Sequence, residues 1–139
     1  MDYVGGVSGS NIDTIKHCYA LGEVTGTYDV GGVIGFLSLY DNLLQNCVAL
    51  NPQIIRSSST DPNFGKVVGT ISSTITNCFA LAGMTLPEDA TGYNGTDFYN
   101  TGQAAWSAVD PTGPGFDFDT VWEWSSAKNR PILRGVGGQ

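Results

Sequence analysis

A four-residue segment that occurs three times constrains this chain more than any other feature. It reads Cys18-Tyr19-Ala20-Leu21, then Cys47-Val48-Ala49-Leu50, then Cys78-Phe79-Ala80-Leu81. A second motif precedes each copy: Val4-Gly5-Gly6-Val7-Ser8-Gly9, Val30-Gly31-Gly32-Val33-Ile34-Gly35 and Phe64-Gly65-Lys66-Val67-Val68-Gly69. Two motifs in fixed order, three times over, define a repeat protein. A unit this short cannot bury its own apolar side chains, so neighbouring units must stack to form a core.

Glycines break each unit into two or three short β segments, and no segment sustains an apolar period of 3.6, which argues against any long helix. Charged residues are 14% of the chain, hydrophobic ones 41%, and there are 19 Gly. That balance suits many short strands joined by turns and is unlike a disordered chain. The expectation is an all-β stack over residues 1–83, divided near 1–29, 30–63 and 64–83. Gly35 to Cys47 spans 12 positions against 9 for Gly9 to Cys18 and Gly69 to Cys78. The extra residues fall between Phe36 and Gln45, as a bulged turn or a single helical turn. Lys66 stands where the other units have their second Gly, so an altered turn is expected there.

Side chains alternate along a strand. Cys18, Cys47 and Cys78 therefore share one face with Ala20, Ala49 and Ala80, and small residues of this kind suit a narrow interior, where the thiols form a structural ladder. Tyr19, Val48 and Phe79 lie on the opposite face with Leu21, Leu50 and Leu81. Residues 84–139 do not repeat and hold all three Trp and 8 of the 15 aromatic residues. An open end of a stack needs covering, and the tail is expected to cap the column and fold over that apolar outer face.

The net charge of −7 disfavours nucleic acid and anionic membranes as partners. No apolar run approaches the ~20 residues needed to span a bilayer. Nothing before the first repeat reads as a secretion signal, and the chain enters that repeat straight after Met1-Asp2, as a segment of a larger parent protein would.

Motifs that bear chemistry are sparse. His17 and Cys18 are strand neighbours pointing to opposite faces, which excludes a nucleophile–base pair. Asn46 and Asn77 occupy the same place as His17 and suggest a polar ladder. Three Cys cannot all pair internally, and their spacing lacks the close ligand pairs of a zinc site. Asp117 and Asp119, with Asp97 or Asp110, are candidates for a Ca²⁺ site or a glycosidase pair, set against solvated strand-edge carboxylates. Trp106, Trp122 and Trp124 are weak candidates for a sugar-stacking platform, set against bulky core. Asn94-Gly95-Thr96 is a formal glycosylation sequon. No catalytic residue, metal or cofactor is implied.

The motif Val-Gly-Gly-Val-x-Gly followed by Ile-x-x-Cys-Tyr-Ala-x-Gly-x-Val-x-Gly resembles the GLUG repeat of bacterial surface and adhesin-like proteins. Residues 3–26 carry it best; 30–50 and 64–83 are degenerate copies. The stretch Phe116-Asp117-Phe118-Asp119-Thr120-Val121-Trp122, with Asn129-Arg130-Pro131-Ile132-Leu133, is similar to the segment that closes such arrays. The resemblance implies a right-handed parallel β-helix, an extracellular or cell-surface setting, and a non-catalytic adhesive or spacer role, with a host or glycan surface as partner. It also fits an accessory region of a secreted peptidase or glycan-degrading enzyme, or a carbohydrate-binding module.

Overall fold

The computed structural model describes residues 2–11, 13–38, 42–58 and 60–136. The first repeat contains β1 (Val4–Gly5), β2 (Ser8–Asn11), β3 (Ile15–Lys16), β4 (Tyr19–Ala20) and β5 (Val24–Gly26). The second contains β6 (Val30–Gly31), β7 (Ile34–Leu37), β8 (Leu43–Gln45), β9 (Val48–Ala49) and β10 (Ile54–Arg56). The third contains β11 (Phe64–Gly65), β12 (Val68–Ile71), β13 (Thr74–Thr76) and β14 (Phe79–Leu81). The tail adds β15 (Thr96–Phe98), α1 (Gln103–Ser107), β16 (Trp122–Ser125) and β17 (Arg130–Leu133). The protein is all-β, and α1 is the only helix among the described residues.

Equivalent strands of successive repeats pair in parallel. Among the described residues they form five rows: β1-β6-β11, β2-β7-β12, β3-β8-β13, β4-β9-β14-β15 and β5-β10. The register joins like to like: Val4, Val30 and Phe64 stack in one file, and Ala20, Ala49 and Ala80 in another. The bulge or helical turn expected between Phe36 and Gln45 falls largely on residues 39–41, outside the described residues.

Glycine is needed where rungs approach closely. A Cβ on Gly31 would sit 2.8 Å from the Val67 carbonyl oxygen, and one on Gly32 would sit 2.2 Å from that of Lys66. Lys66 leaves the rung intact, contrary to the altered turn expected from the sequence. The Gly6 N–H donates to the Gly32 carbonyl at 3.1 Å, and the Gly32 N–H donates to that of Lys66 at 3.2 Å. The Lys66 side chain projects outward to Asp97.

The alternation of the Cys-x-Ala-x segments separates two cores. Val33, Leu44, Cys47, Ala49, Val67, Cys78 and Ala80 belong to the inner one. Val48, Leu50, Phe79, Phe98, Trp106 and Phe116 form the outer one, against which Tyr19, Trp122 and Trp124 pack. Each fully buried aliphatic side chain contributes about 1.5–3 kcal/mol.

Stacking outlasts the sequence repeat, which places the division at residue 83 too early for the strand rows. Thr85 bridges in parallel to Gln53, Gly92 N–H donates to the Phe64 carbonyl at 2.9 Å, and β15 adds in parallel to β14. This last rung proceeds without the Gly-Gly and Cys motifs, held by these backbone hydrogen bonds and by Met84 and Phe98 in the two cores. The chain then turns along the outer face. Phe98 meets Trp106 with ring centroids 5.1 Å apart, Trp106 meets Tyr19 at 5.4 Å, and the antiparallel hairpin β16–β17 reaches Tyr19 through Trp122 at 5.9 Å.

Candidate functional site

The side chains singled out in the sequence separate into three settings. The first is the thiol column. Cys47 and Cys78 are buried, and Cys18, in the terminal repeat, is half-buried; all three are free thiols. Each donates to a backbone carbonyl: Cys18 to Lys16 at 3.3 Å, Cys47 to Gln45 at 3.3 Å and Cys78 to Thr76 at 3.5 Å. The hydrogen bond with Cys47, together with burial, holds the Cys18 thiol well above its ordinary range. Cys47 is pulled down by Cys18, but the contact with Cys78 and burial outweigh this and push it up to about 12. Cys78 is drawn below its ordinary value by Cys47, against burial. Cys18 and Cys47, held protonated in this way, are poor nucleophiles, because nucleophilic attack requires the thiolate.

Beside the column runs a polar ladder. His17, Asn46 and Asn77 take left-handed backbone conformations with φ of 50°, 55° and 52°. Asn tolerates that region better than most residues. Asn77 Nδ2 donates to Asn46 Oδ1 at 2.9 Å, and Asn46 Nδ2 donates to His17 Nε2 at 3.0 Å. Asn77 also donates to the Gly113 carbonyl of the tail at 2.9 Å. The shared repeat position signalled this ladder; the backbone conformation beneath it was not visible in sequence.

The third setting is an open hollow of about 440 Å³ where the first repeat meets the tail hairpin, lined by Val7, His17, Cys18, Tyr19, Trp122 and Leu133. Tyr19 Oη donates to the Pro131 carbonyl at 2.7 Å, fixing one wall. Burial raises the Tyr19 phenol above its ordinary range, opposed by nearby Arg130. Of the three tryptophans, Trp122 alone lines the hollow. Trp106 is fully buried and its Nε1 donates to Asn100 Oδ1 at 2.7 Å, so it offers no face to a ligand. Trp124 leans on Phe118 at 6.5 Å.

The acidic candidates do not converge. Asp117 is exposed and accepts from the Asp119 and Thr120 N–H groups at 2.8 and 3.1 Å, and from the Thr120 hydroxyl. The Thr120 hydroxyl, ahead of those two N–H groups, holds the Asp117 carboxyl below the usual carboxylate range. Asp97 pairs with Lys66 at 3.4 Å. Among the described residues no three His, Cys, Asp or Glu side chains come together to hold a metal.

Asp29, Asn42 and Asn51 are buried polar residues that escaped sequence reasoning. Asp29, 4% exposed, accepts from Asn63 Nδ2 at 3.1 Å and from the Thr70 hydroxyl, and its N–H donates to Asp61 Oδ2 at 2.9 Å. This knot ties the link before the second repeat to the third. Asn51, fully buried, fills the space above Gly32 and donates to the Gly22 carbonyl at 2.8 Å. Asn51 has no polar counterpart in the other repeats, and Asp29 shares its place only with Asn63, so periodicity gave little signal.

These features define a class: a strand-rich protein of stacked parallel rows with an aromatic strap along one face. No family model, curated protein or solved structure matches the chain. No helix among the described residues is long and apolar enough to cross a membrane.

Proposed function

We propose that the chain is a short right-handed parallel β-helix of about three coils, closed by an aromatic C-terminal cap. It acts as a non-catalytic structural or adhesive module of a larger bacterial surface protein of the GLUG-repeat type. The observation that carries this reading is the in-register pairing of equivalent residues in row after row, the way a solenoid buries units too small to fold alone. The side chains with chemical potential support it as well. The thiols, the Asn ladder and Trp106 are engaged in holding coils together, and the carboxylates lie apart. Nuclear Overhauser contacts linking Ala20, Ala49 and Ala80 in one line test the architecture. Antiparallel or missing contacts overturn it.

A second reading, a carbohydrate-binding module, is favoured by one observation: Trp122 and Tyr19 wall an open hollow, and exposed aromatic faces stack on sugar rings. A glycan array separates the two. A silent array supports the spacer role, whereas a signal lost in Trp122→Ala moves the assignment to sugar binding.

A further inference from the structure

The first coil shares the Val-Gly-Gly-Val and Cys-x-Ala-Leu motifs of the second, yet it is the terminal member of all five parallel rows among the described residues. Val33 and Val67 are fully buried while Val7 is 41% exposed; Leu50 is 9% exposed and Leu21 42%. Cys47 and Cys78 are covered, and Cys18 is half-open. These are the positions that a neighbouring coil covers in the rest of the stack. The backbone matches. Val48 N–H donates to the Cys18 carbonyl at 3.0 Å and Leu50 N–H to that of Ala20 at 2.9 Å. Parallel pairing alternates direction along a strand, so Tyr19 between them turns its N–H and carbonyl to the opposite side. The hollow over Tyr19 and Cys18 opens at this edge, and the hairpin walls it with Trp122 and Leu133.

We propose that this edge is a docking face for one further coil of the same Val-Gly-Gly-Val and Cys-aromatic-Ala-Leu chemistry, entering in parallel register ahead of Val4. The inference rests on the β-helix reading above. It follows from continuity with an interface the molecule already uses between coils. The incoming coil sets a Cys over Cys18 and a β-branched or aromatic residue over Tyr19, where Trp122 and Leu133 enclose it. An Asn placed over His17 prolongs the polar ladder. The link from β5 to β6 takes three residues, 27–29. A coil docked on this edge and joined by a link of that length would end three link residues before Val4. The pairing also removes a liability, because an open strand edge invites uncontrolled association.

A tandem variant tests this, with a copy of residues 30–56 and a copy of the 27–29 link joined ahead of Val4. The expected result is slowed amide exchange at Tyr19 and Leu21 and at least about tenfold slower alkylation of Cys18, as a newly buried segment requires. Val7→Lys in the tandem should restore both rates, while leaving the parent chain folded. Unchanged rates overturn the proposal, as does a tandem whose added coil stays open to protease. If the parent chain forms dimers in light scattering and already protects Cys18, the face belongs to a second copy, which also overturns it. The Ala20–Ala49–Ala80 contacts are read in the same samples. If they persist while Cys18 stays open, the docking inference fails alone; if they are absent, the β-helix reading fails with it.

Discussion

The first and second repeats are close copies in sequence and opposites in environment. Val33 has a strand on either side of it and Val7 has one; Cys47 is sealed and Cys18 borders an open hollow. The difference teaches that in a stack of this kind burial belongs to position in the column and not to the residue. The same motif builds an interior in one place and an edge in another. The tail changes the balance further, because it covers the outer face of the first repeat at Tyr19 and leaves its edge bare.

The sharpest test of that imbalance removes the strap. Trp106→Ala empties a fully buried site between Phe98 and Tyr19 and should cost about 3–5 kcal/mol in denaturant unfolding. A loss below 1 kcal/mol would show that the tail merely rests on the column.

Alkali tests the sealed thiol against the open one. Folded Cys47 keeps its proton up to about 12, whereas an ordinary thiol loses it near 9.0. Between those values the unfolded chain binds fewer protons than the folded one, so stability falls as pH rises, by about 1.4 kcal/mol per pH unit at most. Below pH 9 the contribution is complete. Cys47→Ala and Cys18→Ala should each flatten the decline, since both thiols are held above their ordinary range. A decline that Cys47→Ala leaves unchanged would show that the interior thiol is not sealed.

Paired truncations address it directly. Val33→Ala should cost about 2 kcal/mol and Val7→Ala under about 0.5 kcal/mol by chemical denaturation; comparable losses would mean the first repeat is not an edge. In the polar ladder, Asn46→Ala should cost about 1–2 kcal/mol by losing hydrogen bonds and straining a left-handed backbone. Asn46→Gly relieves the strain and should cost less. The smallest effect belongs to the surface. Asp97→Asn breaks an ion pair whose carboxylate is 59% exposed and should change the unfolding free energy by under about 0.5 kcal/mol.

What could be read from sequence was what recurs. The triple Cys-x-Ala-x segment specified strands, their faces and their order, because alternation and repetition are properties of residue type. What stayed hidden was set by neighbours. The rung formed by Thr85, Gly92 and Thr96–Phe98 lacks the motif and is built by backbone pairing together with Met84 and Phe98, whose side chains join the two cores. Asp29 and Asn51 bond residues 29 to 41 positions away, Asp29 forward and Asn51 backward. The hollow at Trp122 needs the tail to double back over the column, and local spacing carries no record of that return. The three tryptophans looked alike in sequence, and only the path of the tail distinguishes the sealed Trp106 from Trp122 at the hollow.

That doubled-back path has a mechanical consequence. The tail leaves the far side of the column at Phe98 and returns to the first repeat, where Pro131 receives the Tyr19 hydroxyl. A pull applied between Val4 and Leu133 is thus borne by one short span, the first repeat and the hairpin beside it. The intervening strands lie outside the load path and feel no tension until that fastening yields.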